Sequence, residues 1–169
     1  MNYFQFYDLP VKFNLDVAQL RQKFFELSKK FHPDFYIHAS KDVRDTMLLE
    51  STRNNDAYKT LNNATRRLRY VLEVSGVLSD EEKEILPQAF LMEMMELNEA
   101  ILEANEANYE EIKEQFKKIE DSLNDRLSLD CIDFDETGRH DILLRIKTNY
   151  LKQKYLLRIK ESMLKFASL

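Results

Sequence analysis

The sequence has very little glycine and proline. Only two glycines and three prolines occur in 169 residues, whereas folds rich in β-strands need such residues at their frequent turns. Their scarcity argues against a strand-rich fold and favours long helices joined by few connections. With 44% hydrophobic and 33% charged residues, the composition predicts an ordered all-α protein with one medium or two small cores.

Only one cysteine is present, Cys131. It excludes an internal disulfide framework, and one thiol cannot by itself build a zinc or iron–sulfur site, so we expect no resident metal and no cofactor. The opening MNYFQFYDLP lacks a basic region followed by an unbroken apolar run, and no later segment reaches membrane-spanning length. These features predict a soluble, cytoplasmic protein with no membrane contact.

Acidic and basic side chains are unevenly distributed along the chain. Residues 1–75 carry a net charge of +3, residues 76–111 have eleven acidic side chains against one basic, and residues 112–169 carry +2. This asymmetry argues against nucleic-acid binding and for two surfaces that face different partners. The change of sign near Gly76 predicts two domains, residues 1–75 and residues 76–169.

A helical hairpin is predicted in the first domain. Asp16 is a suitable N-cap for its first helix, and Pro33 disfavours helical backbone at His32, where that helix should end. Its apolar residues repeat every three or four positions, as a buried helical face requires. The apolar stripe consists of Val17, Leu20, Phe24, Leu27 and Phe31, and the opposite side carries Arg21, Lys23, Lys29 and Lys30.

The antiparallel partner helix is expected over about residues 42–61. Two polar residues, Ser51 and Asn54, interrupt its apolar stripe. A shorter helix should follow, capped by an asparagine at 62 or 63 and closed by Gly76 in the left-handed conformation that glycine tolerates. The residues expected to face the first helix are Met47, Leu48, Ala57, Tyr58 and Leu61.

Three antiparallel helices are predicted in the second domain. Ser79 with Glu82, and Asn108 with Glu111, have the spacing of capping boxes. The stretch DCIDFDETGRHD, residues 130–141, is expected to form the loop before the last helix, with Cys131 at its edge. The three apolar stripes are Phe90, Met94, Leu97 and Ile101; Ile112, Phe116, Ile119, Leu123 and Leu127; and Leu144, Leu151, Tyr155, Ile159, Met163 and Phe166.

The stretch KKFHPDFY, residues 29–36, carries the first functional motif. A helix with a basic outer face that ends at His-Pro-Asp, followed by an antiparallel helix ending in NNDAYKTL, resembles the J domain of DnaJ-type co-chaperones. The tripeptide alone is weak, but the aromatic opening YFQFYDLP and the Ala57-Tyr58 pair also lie where a J domain has them. Phe35 departs from that family, which usually has a basic residue after the aspartate.

The resemblance implies that this loop contacts a DnaK-type ATPase chaperone and promotes its ATP hydrolysis. The residues implied in that contact are His32, Pro33, Asp34, Arg21, Lys29 and Lys30. One alternative is a simple helix stop, in which a histidine suits the helix dipole and a proline forbids continuation. That alternative does not account for Asp34.

Metal binding and catalysis are weaker alternatives. A metal site built from His32, Asp34, His38 and Asp42 has no recognised ligand spacing. The chain contains no glycine-rich phosphate loop, and neither Cys131 nor any histidine stands in a recognisable nucleophile arrangement. We therefore expect a protein that is not itself an enzyme.

The stretch AFLMEMMELNEAILEAN carries more apolar residues than one buried helical face needs. If Phe90 and Met94 face the core, the side and back of that helix present an apolar patch rimmed by carboxylates. Flexible methionines at a surface suit the binding of a partner. The patch is expected to contain Leu91, Met92, Met95, Glu96, Glu99 and Glu103.

A J domain followed by an acidic helical bundle resembles the HscB family, called Jac-type in mitochondria, of co-chaperones for iron–sulfur cluster assembly. The resemblance covers essentially the whole chain and also rests on Arg67 with Tyr70-Val71-Leu72 and on Ala89-Phe90-Leu91-Met92-Glu93. It implies that the bundle binds an IscU-type scaffold protein through the six patch residues, together with Tyr150 on the last helix. The family chaperone is HscA-like, and we expect the protein to be a monomer.

Two other functions stay open at this point. The first is a J-domain adaptor that delivers a different client to a DnaK-type chaperone, and the second is a purely structural helical protein. Charge substitutions in the apolar patch would separate the first from the family function, and unchanged chaperone ATPase would favour the second.

Overall fold

A computed structural model describes residues 1–79 and 85–167, apart from the side chains of Phe166 and Ala167, and every regular element in these ranges is helical. The predicted all-α class is confirmed. The chain divides into two compact units, Met1–Gly76 and Val77–Leu169. The α-helices are α1 (Tyr3–Phe6), α2 (Val17–Lys30), α3 (Lys41–Leu61), α4 (Ala64–Val74), α5 (Gln88–Leu102), α6 (Tyr109–Thr137) and α7 (His140–Ala167), with a 3₁₀ turn at Pro33–Tyr36.

In the first unit, α2 packs against α3 as an antiparallel hairpin. The Asp16 carboxylate caps α2 by accepting hydrogen bonds from the backbone N–H groups of Ala18 and Gln19. Leu20 is fully buried, and the Phe24 ring stacks on Tyr58 with ring centroids 4.2 Å apart. These contacts confirm the predicted apolar stripe of α2, except at its first residue, Val17, which is 49% exposed.

Asn54 lies inside the hairpin, although its polarity predicted an interruption of the α3 stripe. Its side-chain amide donates to the carbonyl oxygen of Phe24 at 3.1 Å and to Ser28 Oγ at 2.9 Å. The prediction for Leu48 was wrong, since 60% of it is exposed. At 100° per residue, a position six before Asn54 lies about 120° around the helix, whereas Met47 lies within about 20° of it.

Arg67 joins the N-terminal segment to the end of α3. Its guanidinium is buried and donates from Nε to the carbonyl oxygen of Phe13 at 2.7 Å and from Nη1 to that of Leu61. The Asn63 side chain caps α4 by accepting from the Arg66 N–H, and Gly76 follows with φ +72°. Both predictions for the ends of α4 are therefore confirmed, and the buried guanidinium is itself satisfied by donating to two backbone carbonyls.

The second unit is a bundle of α5, α6 and α7. Its core contains the predicted apolar face of α5 and apolar faces of α6 and α7. Outside the core, Lys160 on α7 forms an ion pair with Glu120 on α6 at 2.9 Å. Most of the residues in this core belong to the three stripes that apolar spacing predicted. The core residues are Phe90, Met94, Leu97, Ile112, Phe116, Leu123, Leu156, Ile159 and Met163.

The loop predicted over residues 130–141 was wrong. Helix α6 continues to Thr137, and only two residues, Gly138 with φ +65° and Arg139, separate it from α7. Cys131 is 7% exposed and extends the buried stripe of α6 by one turn beyond Leu127. The acidic residues that suggested a loop are accommodated on the helix: Asp130 forms an ion pair with Arg145 at 2.7 Å, and Glu136 is exposed.

Two further details of the second unit differ from the predictions. Asn108 makes no capping bond to α6, because its side-chain oxygen accepts from the Asn105 N–H at 2.7 Å instead. On α7, Leu144 is 44% exposed whereas Ile142 and Ile146 are fully buried, so the buried face begins on a different row. The predicted capping box of Ser79 and Glu82, and the side chain of Phe166, lie outside the described residues.

Candidate functional site

The His32-Pro33-Asp34 motif forms the corner between α2 and the 3₁₀ turn. His32 is extended, with φ −64° and ψ 128°, and its Nδ1 accepts a hydrogen bond from the Asp34 N–H at 3.3 Å. The Asp34 carboxylate lies 3.6 Å from the same nitrogen. The side chains of His32 and Asp34 are nevertheless 53% and 78% exposed, so this local bonding leaves most of both groups accessible to a partner.

Tyr36 connects the 3₁₀ turn back to the end of α2. Its hydroxyl donates to the carbonyl oxygen of Lys30 at 2.7 Å, which is one of the last α2 carbonyls left without an intrahelical donor. The Phe35 N–H also donates to the carbonyl oxygen of His32 at 3.1 Å. Together with the bond from the Asp34 N–H, these hydrogen bonds hold the backbone of the corner that presents the motif.

The predicted cations are exposed on α2 beside this corner. Arg21, Lys29 and Lys30 all face solvent. The Arg21 guanidinium lies 5.6 Å from the centroid of the Phe25 ring, and the Lys30 ammonium lies 5.4 Å from that of Phe31. Such cation–π contacts restrict long side chains and keep the positive charge at the surface.

Two exposed aromatic residues flank the motif, and sequence analysis missed one of them. Phe35 is 74% exposed, and Phe25 is 49% exposed. Both line the same shallow groove as Lys29, His32 and Asp34. The Phe24-Phe25 pair carried the missing signal: adjacent helical positions differ by about 100°, so both rings cannot face α3.

The second candidate surface lies on α5 and is called the α5 patch below. Met92 and Met95 are 57% and 61% exposed, and Leu91 is 37% exposed. Since Phe90, Met94 and Leu97 take the buried face, these apolar side chains project to the side and back of the helix. The patch comprises Leu91, Met92, Met95, Glu96, Glu99 and Glu103, and the structure exposes all six.

Tyr150 differs from the six residues of the α5 patch. It is 6% exposed, with the Lys154 ammonium 5.9 Å from the ring centroid. A residue buried to this extent offers little surface to a partner, so the structure does not place it with the exposed patch. Its assignment rested on the Tyr150-Leu151 pair alone, and a pair of residues carries no information about which face of a long helix is buried.

Neither a metal site nor a membrane-spanning helix is found among the described residues. Within residues 1–79 and 85–167, no three histidine, cysteine, aspartate or glutamate side chains are placed to hold a metal ion. In the same ranges, no helix combines the length and apolar character needed to cross a bilayer. His32, Asp34, His38 and Asp42 thus form no such cluster.

Comparisons with known proteins agree with this arrangement. Residues 86–163, which contain α5 and α6 and most of α7, match the model of the HSCB C-terminal oligomerisation domain. The crystal structure of human co-chaperone protein HscB superposes with a TM-score of 0.70 at 30% identity, covering 100% of this chain and 84% of that one. The chain belongs to the HscB family.

Two curated members show how far the sequence similarity extends. A co-chaperone protein HscB homolog of Vibrio cholerae serotype O1 is 40% identical over 60% of this chain, and the chain spans 60% of that relative's length. An iron–sulfur cluster co-chaperone protein HscB homolog of Arabidopsis thaliana is 34% identical over 73% of this chain, and the matched region spans 51% of the length of that relative.

Proposed function

We propose that this HscB family protein is a co-chaperone of iron–sulfur cluster assembly. Its first unit, acting as a J domain, stimulates ATP hydrolysis by a DnaK-type, HscA-like chaperone, and its second unit binds an IscU-type scaffold protein. The observation that carries the proposal is the exposure of both predicted contact surfaces on one chain. The name of the Arabidopsis relative supports the link to iron–sulfur clusters.

On the chaperone side, the proposal rests on groups that the fold leaves accessible. A helix stop needs only His32 and Pro33, whereas Asp34 adds a carboxylate that is 78% exposed. Lys29 lines the same groove as Asp34, and the Arg21 guanidinium lies over the Phe25 ring, which also lines it. The surface therefore combines one anion with cations. Such a mixed surface favours a partner of complementary charge pattern and speeds its association.

On the scaffold side, the α5 patch supplies apolar contact area with a polar rim. Met92 and Met95 are flexible and more than half exposed, which lets them adapt to the shape of a partner. The surrounding carboxylates of Glu96, Glu99 and Glu103 add orientation through charge rather than contact area.

The chain performs no bond-breaking step in this proposal. The bond that breaks is the terminal phosphoanhydride of ATP held by the chaperone, and this chain supplies contacts that promote that step. Because one monomeric molecule carries both surfaces, a bound scaffold protein is brought to the chaperone at a raised effective concentration.

Single-turnover ATP hydrolysis by the chaperone tests the proposal. The rate is measured with the chaperone alone, with this protein added, and with this protein plus the scaffold. We expect stimulation that increases when the scaffold is present and that falls to near the basal rate with His32→Gln, since glutamine keeps a similar volume but removes the imidazole.

His38→Gln is the matched control, because His38 is an exposed histidine six residues further along the chain. It should stimulate hydrolysis like the unchanged protein. If neither the unchanged protein nor His32→Gln alters hydrolysis, the motif is only a helix stop and the proposal fails.

A further inference from the structure

A groove with a basic rim runs between α6 and α7 in the second unit. Two neighbouring cavities form it, and both are lined by Arg126, Asn149 and Lys152. One cavity extends along α6 to Lys118, and the other extends to Arg145 on α7. We call this surface the basic groove. Leu91, Met92 and Met95 of the α5 patch do not line it.

The charge of the basic groove is positive, although the chain as a whole carries −5. Lys118 and Arg126 are exposed on α6 and form no ion pair within the described part of the chain. Arg145 is committed to Asp130 at 2.7 Å. The remaining charged lining residues are Lys152 and Glu93, so the four cations exceed the two carboxylates.

Asn149 places a side-chain amide in the basic groove. The residue as a whole is 9% exposed, and it lines both cavities. No side-chain polar atom of the described residues is both buried and unbonded, so the Asn149 amide is accessible from the groove. Its place in the groove supplies a donor and an acceptor for a peptide group or a carboxylate.

The walls of the basic groove are partly apolar. Phe90 contributes from α5, Ile119 and Leu123 from α6, and Leu144 from α7. The Lys152 ammonium lies 5.3 Å from the centroid of the Phe90 ring, which holds this cation close to an apolar wall. The surface therefore suits a ligand that alternates negative charge with apolar side chains.

We propose that the basic groove binds a short acidic segment of a partner protein. Carboxylates of the segment pair with Lys118, Arg126 and Lys152, its apolar side chains contact the walls, and its backbone bonds to Asn149. From position 118 to position 130, α6 rises about 18 Å, which an extended peptide spans in about six residues.

A peptide fits this surface better than a nucleic acid does. The net charge of −5 repels a long polyanion, and Glu93 is an exposed carboxylate within the groove itself. A six-residue acidic peptide places its charges only where the local surplus of cations lies. The proposal is independent of the proposed co-chaperone function, because it involves neither the His32 corner nor the α5 patch.

Fluorescence anisotropy with the full chain tests the basic groove. The probe is a fluorescein-labelled hexapeptide of alternating glutamate and leucine, and the comparison probe has glutamine in place of glutamate. We expect binding of the glutamate peptide that weakens severalfold when salt rises from about 50 mM to about 300 mM. Arg126→Glu and Lys118→Glu should each weaken it by about tenfold or more.

Lys117→Glu is the matched control, because it makes the same change of charge one residue away at an exposed position outside both cavities. It should change the affinity by less than about twofold. Asn149→Ala should weaken the glutamate peptide without altering its salt dependence, and circular dichroism verifies that each variant stays helical.

Three results would overturn the proposal. The first is no detectable binding of the glutamate peptide, and the second is equal binding of the glutamine peptide. The third is an equal loss with Lys117→Glu and Lys118→Glu, which would mean that the peptide responds to the general field of α6 rather than to the groove.

Discussion

At the scale of single residues, the first unit depends on a small buried polar network. Tyr7 is 2% exposed, and its hydroxyl shares one proton between the backbone oxygen of Asn54 at 2.9 Å and the side-chain oxygen at 2.8 Å. Burial raises the pKa of the Tyr7 hydroxyl, and the nearby Tyr58 hydroxyl raises it further. The hydroxyl therefore stays protonated, and remains a donor, under all ordinary conditions.

Tyr7→Phe should destabilise the first unit by about 1–3 kcal/mol, because it leaves a buried oxygen of Asn54 without its donor. Urea unfolding of the full chain measures the change, with separate transitions allowed for the two units. Tyr3→Phe is the control, since the Tyr3 hydroxyl has no hydrogen bond among the described residues, and it should cost less than about 0.5 kcal/mol. Equal costs would contradict the role of the Tyr7 hydroxyl.

The same network shows what a sequence pattern cannot reveal about a residue. Asn54 was expected to break the apolar stripe of α3, because the pattern records polarity and not partners. Its partners, Tyr7 and Ser28, lie 47 and 26 residues earlier in the chain. Only the tertiary structure brings them together, and their hydrogen bonds then make a buried amide acceptable.

At the scale of elements, apolar periodicity predicted where the helices lie better than where they end. The N-cap Asp16, an asparagine cap at 62 or 63 and the left-handed Gly76 were predicted because each has a local chemical signature, and the structure places the second cap at Asn63. The acidic stretch after residue 130 looked like a loop, yet α6 continues to Thr137 and is followed by Gly138, the second left-handed glycine. A solvated helical face and a polar loop have the same composition, and the buried Cys131 was the one residue that distinguished them.

The candidate sites show the same limit. The six residues of the α5 patch could be predicted because they exceed the needs of one buried helical face, and all six are exposed. Tyr150 could not be placed by that method, because α7 is 28 residues long and buries different rows along its length. The basic groove was not predicted at all, since its cations come from two helices whose pairing the sequence pattern does not specify.

Charge substitutions in the α5 patch test its proposed role in scaffold binding. Met92→Glu combined with Met95→Glu should weaken binding of the scaffold protein by about tenfold or more, because the apolar contact area becomes charged. Glutamate is a good helix former, so α5 itself should be unaffected. Anisotropy of a labelled scaffold protein measures the affinity.

The control for α5 is Leu129→Glu, which replaces a 67% exposed apolar residue of α6 with a glutamate outside the α5 patch. It should leave scaffold binding unchanged. If the double variant binds the scaffold normally while His32-dependent ATPase stimulation persists, the first unit functions as proposed but the α5 patch serves a different client.

At the scale of the whole molecule, the two proposed contact surfaces lie on segments of opposite net charge. The acidic stretch 76–111 contains α5 and its patch, whereas the first unit carries a net positive charge. Each surface can therefore favour a different partner, and neither partner is expected to bind the other's site strongly. The benefit of placing both surfaces on one chain is then that the chain tethers one partner to the other.

A mixture of two defective variants tests whether the tether matters. Protein with His32→Gln retains the scaffold surface, and protein with Met92→Glu and Met95→Glu retains the chaperone surface. At concentrations below both binding constants, the mixture should leave scaffold-dependent ATP hydrolysis near its basal rate, because neither molecule brings the two partners together. The unchanged protein at the same total concentration should give full stimulation.

The outcome of this mixing experiment separates two mechanisms. If the mixture restores full stimulation, the two surfaces act independently, and the chain need not bring scaffold and chaperone together. Mixing each variant with unchanged protein provides the control, since the rate should then fall only in proportion to dilution. A rate that stays basal in the mixture but is proportional in the control would mean that stimulation requires the corner at His32 and the α5 patch within one molecule.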